Sequence, residues 1–306
     1  IINYLAHLVQ FPAEKPETAI VIVGRKGAGK SLVFDVVGSL AKDNYVVTAD
    51  RRMMLGNFNS HMETALVFQF EEAFWAGDKK SEGKLKLLIT GKHHLIEHKG
   101  YDAYMVGNYA RIFITSNEDW AVPATVDERR FAVFECQSDW IGDKEYFNAI
   151  YRQLERNGGM GYRALMTVLM KTKVDRTAVH VAPKTEALAD QKLETLEPLA
   201  VWLHAARQEG LIVPSYRSSD DDTGDWPRDI RCSDVYDEYR AHVKDQGARY
   251  PISKRSLGKK LQAMLGDGVR RGRKNTKDFK GYYYRFERLK ICRANFVKWF
   301  GHEIKW

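Results

Sequence analysis

Residues 20–32 read IVIVGRKGAGKSL, an apolar run that ends at a glycine and is followed by two further glycines, a lysine and a serine. The part GRKGAGKS fits the pattern GxxxxGK[ST], between an apolar run typical of a buried strand and a segment with helical spacing. Glycines let backbone N–H groups surround phosphate oxygens without a Cβ in the way, and the following helix adds partial positive charge. The sequence therefore predicts a nucleotide-binding loop, formed by Gly24, Arg25, Lys26, Gly27, Ala28, Gly29, Lys30 and Ser31. We expect Lys30 to reach the β- and γ-phosphates and the Ser31 hydroxyl to bind Mg²⁺.

Polar side chains follow two further apolar runs. Glu71 and Glu72 come directly after residues 65–70, and Asn117 follows residues 110–115. Because α/β sheets place ligands at the carboxyl ends of their strands, these side chains are expected beside the loop. We expect Glu71 to hold the Mg²⁺ shell, Glu72 to orient and polarise the attacking water, and the Asn117 amide to hydrogen-bond the γ-phosphate or that water. A solvated acidic pair and an asparagine that caps a turn are the structural alternatives.

The segment DERRF places Arg129 and Arg130 just before another apolar run. An arginine stays charged and donates two parallel hydrogen bonds, which suits a γ-phosphate bound by a neighbouring subunit. The alternative is a local salt bridge from this pair to Asp127 or Glu128.

Between the acidic pair and Asn117, residues 83–108 read GKLKLLITGKHHLIEHKGYDAYMVGN. The first part has helical spacing, and residues 94–97 and 103–106 are typical of the two arms of a hairpin. Such a hairpin would hold single-stranded nucleic acid by charge and stacking through Lys92, His98, Lys99 and Tyr101. An ordinary surface hairpin is the alternative. A zinc site on its histidines is disfavoured, because no carboxylate or cysteine completes it at matching spacing.

The charge of the chain is uneven. The 306 residues carry a net charge of +8, but residues 231–306 hold 20 Lys and Arg against 8 Asp and Glu, so the rest carries −4. A basic C-terminal quarter favours nucleic-acid binding over a merely solvated basic surface. Residues 233–244 and 253–265 have helical spacing, each with a serine at the expected N-cap, and two strands around a basic turn follow them. This order is typical of a winged helix, whose expected DNA contacts are Lys254, Arg255, Lys259, Lys260, Arg270, Arg271, Arg273 and Lys274.

The remaining patterns set the domain organisation. Residues 2–10 predict a helix, and apolar strands at 20–23, 65–70, 110–115 and 131–134 alternate with helical segments, which indicates an α/β fold with a parallel sheet covered on both faces. Residues 143–206 predict helices with a break at 158–161. The expected domains are a core at 1–142, a helical segment at 143–214, an acidic linker or mobile loop at 215–230 and a winged-helix-like domain at 231–306.

Composition excludes several protein classes. Three scattered cysteines do not form a disulfide framework or a CxxC metal site, and free thiols in a reducing compartment are expected. No apolar run reaches the roughly 18 residues of a membrane span, and no signal peptide is visible. Because the chain begins with Ile1 rather than Met, we expect it to be part of a longer protein.

These motifs follow one another in the order found in superfamily 3 helicases, the AAA+ type encoded by small viruses, phages and mobile elements, and the sequence resembles that family. It is most similar to the helicase regions of phage primase–helicase and primase–polymerase proteins. The motifs that carry the resemblance lie within about residues 1–140: GRKGAGKS, VFQFEEAFWAGDK, LKLLITGKHHLIEHKG, IFITSNEDWAVP and ERRF. The basic C-terminal part resembles the winged-helix ends of the same proteins.

The resemblance implies an AAA+ P-loop core with an inserted hairpin, and an ATP-driven ring, usually hexameric, that moves on single-stranded DNA through a central channel. ATP and Mg²⁺ would be its cofactors. A primase or polymerase module would precede residue 1 on the same polypeptide, and the protein would act in the cytoplasm of a bacterial host, away from membranes. The resemblance also implies that the strand before Asn117 lies between the loop strand and the acidic strand.

Carried over residue by residue, Lys30, Ser31, Glu71, Glu72 and Asn117 match the nucleotide site of the family. Lys99 with His98 matches the channel hairpin, and Arg129 or Arg130 the finger contributed by a neighbouring subunit. One departure is that Glu71 stands where aspartate is commoner. The extra methylene weakens the metal geometry, although a water-mediated contact tolerates it. A nucleotide-switched DNA-binding initiator or regulator with little unwinding activity is the alternative function. A small-molecule kinase would explain neither the basic C-terminal part nor the SNE and ERR motifs.

Overall fold

A computed structural model describes residues 1–56, 58–72, 79–216, 229–247, 251–276 and 280–306. Its contacts divide the chain into two units, residues 1–124 with 128–194, and residues 195–306 with 125–127. The division at 194/195 falls inside the predicted helical segment 143–214, so that segment contributes to both units. The predicted limits at 142 and 214 do not coincide with this division.

The first unit alternates helices and short strands. Its elements are α1 (Ile2–Gln10), β1 (Ala19–Val23), α2 (Lys30–Ala41), β2 (Tyr45–Thr48), α3 (Arg51–Leu55), β3 (Val67–Phe70), α4 (Lys79–Thr90), β4 (His93–Ile96), β5 (Tyr104–Gly107), β6 (Arg111–Ser116), β7 (Phe131–Glu135), α5 (Lys144–Lys171) and α6 (Glu186–Glu194). The predicted helix at 2–10 is confirmed. Strand β2 was not predicted, and α5 has non-helical backbone from Arg156 to Gly159, close to the predicted break. Residues 172–185 hold only one short 3-10 helix, Ala178–His180, where continuous helix was expected.

Five parallel strands form the central sheet in the order β2-β3-β6-β1-β7. Val23 of β1 pairs with Ser116 of β6, and Phe70 of β3 pairs with Ile114 of β6. The strand before Asn117 therefore lies between the loop strand and the acidic strand, as the resemblance implies. Because the strands are parallel and in this register, the three sequence motifs follow their strands at the same end of the sheet, the carboxyl end.

Helices cover both faces of the sheet, as the alternation of strands and helices predicts. On one face the strands pack against α4 and α6, through Val21, Phe68, Ile112, Ile114, Phe131, Val133, Leu85, Ile89 and Leu188. On the other face they pack against α1, α2 and α5, through Ile20, Ile22, Val67, Phe113, Leu5, Phe34, Val37 and Leu169. Alternate side chains of one strand reach opposite faces, which explains why β1 contributes to both clusters.

The predicted hairpin is present as the antiparallel pair β4–β5, in which Leu95 lies opposite Met105. Its base is fixed by the side chain of Asn108, whose Nδ2 donates to the carbonyl oxygens of Leu88 at 2.9 Å and Gly91 at 2.8 Å. These bonds join the end of α4 to the residue that directly follows β5. The hairpin is thereby held at its base.

The second unit contains α7 (Pro198–Gln208), β8 (Asp229–Arg231), α8 (Cys232–Asp245), α9 (Lys254–Leu265), β9 (Val269–Asn275), β10 (Lys280–Phe286) and α10 (Leu289–Phe300). The three strands pair antiparallel in the order β8-β10-β9. Ser253 caps α9 as predicted, since its Oγ accepts the N–H of Ser256 at 3.2 Å. The predicted Ser233 cap of α8 is wrong, because that helix begins at Cys232 and Ser233 instead donates to its neighbour Asp234.

Parts of the predicted linker and of the predicted basic turn, residues 217–228 and 277–279, lie outside the described residues. Residues 229–231, expected at the boundary between the linker and the winged-helix-like domain, form strand β8. None of the helices in the described ranges is long and apolar enough to cross a membrane.

Candidate active site and nucleic-acid interface

The predicted nucleotide loop connects β1 to α2, and its backbone requires glycine. Gly24 has φ 143°, and a Cβ there would lie 2.9 Å from the carbonyl oxygen of Cys136. Gly29, the N-cap of α2, has φ 88°, and a Cβ there would lie 2.6 Å from Cε1 of Phe147. The positive φ angles and the close neighbouring atoms both exclude residues larger than glycine at these two positions. Between them, Arg25 and Lys26 are exposed.

Lys30 is buried at the start of α2, and its ammonium group has three acceptors. Its Nζ donates to the carbonyl oxygens of Gly24 at 2.8 Å and Arg25 at 2.9 Å, and to Oδ1 of Asn117 at 2.6 Å. Burial lowers the pKa of Lys30, and the charge of Glu72 acts in the opposite direction. The structure thus brings together two residues that lie 87 positions apart in the sequence.

Glu71 is oriented by a network that sequence reasoning missed. Gln69 donates through Nε2 to Oε1 of Glu71 at 2.9 Å and to Oδ1 of Asp35 at 3.1 Å. The hydroxyl of Tyr45 donates to Oε1 of Gln69 at 2.6 Å, which fixes the orientation of the amide. A fully buried glutamine inside the apolar strand VFQF is the sequence signal that points to this network.

Glu72 leaves the sheet in an uncommon conformation. It is exposed and has φ 52°, in the left-handed region that residues with a Cβ rarely adopt. Strain of this kind is found at functional sites, where the surrounding structure maintains it. The rest of the acidic motif, residues 73–78, lies outside the described residues.

A cavity of about 440 Å³ opens beside the loop at the carboxyl ends of the strands. Gly24, Arg25 and Asn117 line it, and so do the acidic residues Glu118, Asp119, Glu135, Asp190 and Glu194. The segment after β6 that forms one wall is held by Gln191 of α6, whose Oε1 accepts the N–H of Ala121 at 2.8 Å. The loop and the predicted asparagine therefore share one solvent-accessible recess.

The two predicted arginines differ in their surroundings. Oε1 of the buried Glu128 accepts the backbone N–H groups of Arg129 at 2.9 Å and Arg130 at 2.7 Å. The guanidinium group of Arg130 also pairs with Glu128, at 3.3 Å, as the structural alternative anticipated. The side chain of Arg129 is exposed and makes no hydrogen bond or ion pair with the described residues. Arg129 is therefore the free cation of this pair.

His98 at the hairpin tip is hydrogen-bonded to other side chains of the protein. Its Nε2 lies 3.1 Å from Oε2 of Glu63 and 3.1 Å from the hydroxyl of Tyr104, which itself donates to Oε1 of Glu63 at 2.7 Å. The hydrogen bonds from Tyr104 and His98 lower the pKa of Glu63. Sequence reasoning missed Glu63 and Tyr104. Of the predicted contact residues, Lys99 is exposed and Tyr101 is 78% exposed.

The loop before β3 makes a second contact with the hairpin. Asn59 donates through Nδ2 to the carbonyl oxygen of Leu95 at 2.9 Å, and its Oδ1 accepts the N–H of Glu97 at the same distance. Lys92, the fourth predicted contact residue of the hairpin, is exposed just before β4. Residues 59–63 thus hold one arm and the tip of the hairpin.

A basic groove of about 870 Å³ lies in the second unit, between α9 and the strands β9 and β10. The basic side chains that line it are Arg231, Lys254, Arg255, Lys259, Arg271 and Lys280. Tyr282 and Tyr284 also line it, and the guanidinium carbon of Arg271 lies 4.3 Å from the centroid of the Tyr282 ring. Positive charge interleaved with aromatic rings is a common surface for nucleic acid.

The other predicted basic residues of this unit are placed differently. Lys260 pairs with Glu197, and Lys274 pairs with Asp229. Arg285 also donates to Asp229, at 2.7 and 2.8 Å, and this hydrogen bonding lowers the pKa of Asp229 to about 2. Arg273 lies over the same tyrosine ring as Arg271, whereas Arg270 belongs to the opposite face of β9 by strand alternation.

Comparison with known proteins gives matches for most of the chain. Residues 22–130 match the model of a family of unknown function, DUF5906. Over 206 residues, 65% of this chain, the sequence is 25% identical to the DNA primase-polymerase of Nitratiruptor phage NrS-1, and this match covers 28% of that protein. The matched part of the chain therefore spans less than a third of the length of this relative.

Solved structures extend the match to nearly the whole chain. The apo structure of the NrS-1 C-terminal region superimposes with a TM-score of 0.65 at 18% identity, covering 93% of this chain and 70% of that one. A second apo structure, the A form, gives a TM-score of 0.64 with the same coverage. The chain is thus homologous to a phage DNA primase–polymerase and has the fold of the NrS-1 C-terminal region, which confirms its predicted resemblance to phage primase–polymerase proteins.

Proposed function

We propose that this chain is the ATP-dependent DNA motor of a phage or mobile-element replication protein, hydrolysing ATP between the subunits of a hexameric ring that moves on single-stranded DNA. The observation that carries the proposal is the 2.6 Å hydrogen bond from Lys30 to Asn117, which joins the phosphate-type loop to the polar end of the neighbouring strand. Homology to a DNA primase–polymerase supports the role in replication. A primase or polymerase module on the same polypeptide and action in the cytoplasm of a bacterial host belong to the proposal.

In the proposed site, residues Gly24–Ser31 hold the phosphates of ATP. Mg²⁺ prefers oxygen ligands and takes few of them from the protein. The Ser31 hydroxyl in the first turn of α2 and the Glu71 carboxylate fit this preference, since Gln69 restrains one oxygen of Glu71 through a single hydrogen bond. The metal would neutralise phosphate charge. Glu72 orients the attacking water, and Asn117 exchanges its contact with Lys30 for one with the terminal phosphate.

The remaining parts of the proposal concern domains. We assign the first unit's sheet and helices to an AAA+ core, and the second unit's helices with their three-stranded sheet to a winged helix. The domain boundaries that we propose are 1–142 for the core, 143–214 for the helical segment, 215–230 for the linker and 231–306 for the winged-helix-like domain. The basic groove and the hairpin residue Lys99 would provide two separate DNA contacts.

The direct test is ATP hydrolysis with and without single-stranded DNA, together with displacement of a labelled strand from a forked duplex. The proposal expects DNA to stimulate hydrolysis and hydrolysis to drive displacement. If the protein binds nucleotide and DNA but displaces no strand under any condition, it is instead a nucleotide-switched initiator or regulator.

Replacing Lys99 by alanine should leave basal ATP hydrolysis unchanged and abolish most of its stimulation by single-stranded DNA. The reason is that an exposed lysine at the hairpin tip would meet the phosphates of the DNA strand in the channel. Lys173→Ala, which removes the same charge from another exposed position of the first unit, is the control. If the Lys99 variant unwinds DNA as fast as the control, the hairpin is not the channel contact.

The double variant Lys254→Gln/Lys259→Gln should bind DNA more weakly and with a flatter salt dependence. Each phosphate contact contributes about −0.7 to −0.9 to the slope of log K against log salt, so the slope should fall by about 1.4 to 1.8. Lys290→Gln/Lys298→Gln removes two exposed charges from α10 and should change the slope less. Equal slopes for the two double variants, measured by fluorescence anisotropy over a salt series, would contradict a DNA role for the groove.

A further inference from the structure

Residues 136–147, which run from the end of β7 into the first turn of α5, lie along the nucleotide loop. Cys136 donates its N–H to the carbonyl oxygen of Val23 at 2.8 Å, at the start of the loop. Cγ2 of Ile141 lies 3.8 Å from the position that a Cβ of Gly27 would take. Phe147 occupies the corresponding space at Gly29. Three successive points of one segment therefore contact the three-glycine loop.

Two aromatic rings of this segment are stacked on each other and open to solvent. Trp140 and Tyr146 have ring centroids 4.3 Å apart and an angle of 8° between their planes, yet they are 48% and 37% exposed. Tyr146 also contacts Phe147 edge-to-face at 5.2 Å, which links the pair to the loop. Ile141, between the two rings in the sequence, is 40% exposed. The molecule thus presents an apolar, flat surface directly beside a phosphate-type loop.

Local folding does not explain this pair. Helix α5 is capped by Asp143, whose Oδ1 accepts the N–H of Tyr146 at 2.9 Å through the backbone, so the aromatic side chains are not needed to begin the helix. Neither ring belongs to the buried clusters of the sheet. Exposed aromatic rings with a free face are the usual stacking surface for a nucleic-acid base. Sequence analysis did not single out Trp140 or Tyr146, because they follow no phosphate-binding motif.

We propose that the Trp140–Tyr146 pair binds the base of the nucleotide whose phosphates occupy the loop, and that it prefers purine nucleoside triphosphates. The inference rests on the proposed nucleotide site and adds its base-binding part. A purine has a larger flat area than a pyrimidine, so it gains more from extending an existing aromatic stack. Stacking requires no hydrogen-bond readout, so the platform accepts adenine and guanine alike.

The test compares Mg²⁺-ATP with inorganic tripolyphosphate, which carries the phosphates without the base, by isothermal titration calorimetry on the whole chain. Base stacking is worth about 1–3 kcal/mol, so Trp140→Ala should lose about 5-fold to 150-fold in ATP affinity and none for tripolyphosphate. Trp140→Phe should recover part of the loss. Tyr151→Ala, at another exposed aromatic residue of α5, is the matched control and should bind both ligands as the parent does.

The outcomes separate the two proposals. Equal affinity of the parent protein for ATP and tripolyphosphate overturns the base platform and leaves the phosphate loop in place. Equal losses for both ligands in Trp140→Ala also overturn it, because the residue then acts on the loop and not on a base. Binding of neither ligand to the parent overturns the nucleotide site and the platform together. The parent comparison alone decides the question if a variant fails to fold.

Discussion

Replacing Lys30 by alanine is expected to abolish ATP hydrolysis and to weaken nucleotide binding. The ammonium group is the buried positive charge of the loop, and it lies within hydrogen-bond distance of Asn117. Removing one preorganised donor from a site of developing charge commonly lowers turnover by about 10²–10³-fold. Phosphate release measured with Mg²⁺-ATP, alongside binding of a fluorescent ATP analogue, tests both effects. Lys173→Ala, which removes an exposed charge of the first unit outside the loop, is the control and should retain most activity.

The contrasting variant is Glu72→Gln, which should bind ATP and fail to hydrolyse it. Its amide keeps the size of the side chain and removes the charge that polarises water. The affinity of Lys30→Ala should fall, whereas that of Glu72→Gln should stay near the parent value. If both variants lose binding equally, the division of work between loop and acidic pair is wrong.

Arg129→Ala is the second change with a large expected effect. The guanidinium group of Arg129 is exposed and unpaired within the described part of the chain, whereas Arg130 is bound to the buried Glu128. An arginine finger from a neighbouring subunit accelerates phosphoryl transfer by about 10³–10⁵-fold. Arg129→Ala should therefore retain nucleotide binding and lose nearly all ATP hydrolysis. Arg130→Ala should chiefly lower the free energy of unfolding, because it removes the closer of two cationic partners of the buried Glu128 and leaves Lys86 at 3.7 Å.

A mixing experiment tests whether the finger acts between subunits. Subunits carrying Arg129→Ala and subunits carrying Glu72→Gln should each be inactive, but a shared site between them would contain both intact halves. Hydrolysis should reappear on mixing and reach a maximum at intermediate ratios. Absence of recovery, with mixed assembly shown by native mass spectrometry, would make Arg129 a residue that acts within its own subunit or not at all.

Local patterns in the sequence were sufficient to predict the main elements of the sheet. The loop, the acidic strand and the strand before Asn117 each carry their signal within about a dozen residues, and parallel pairing places their ends together. Strand β2 was missed because a four-residue strand at the edge of the sheet, with partly exposed side chains, has no long apolar run. Strand β8 was missed for a similar reason, since its three residues follow a polar segment.

Contacts between distant residues were beyond sequence reasoning. The Tyr45–Gln69 bond joins positions 24 apart, and the Tyr104–Glu63 bond joins positions 41 apart. Neither pair forms a motif, because each residue has an ordinary role when considered alone. The choice between Arg129 and Arg130 likewise depended on which side chain reaches Glu128. The predicted roles of the site residues remain predictions until the variants above are measured.

The contacts of residues 59–63 with the hairpin limit how far the hairpin could move in a motor with this fold. Glu63 lies four residues before β3, and β3 ends directly before Glu71. The hairpin tip is therefore joined to the acidic pair through one buried strand, which pairs on both sides with β2 and β6. A shift of β3 by one residue, about 3.3 Å, would turn its apolar side chains to the wrong faces. In the proposed motor, movement of the tip that is transmitted through this strand would be shorter than that, and a longer step along DNA would come from displacement of whole subunits.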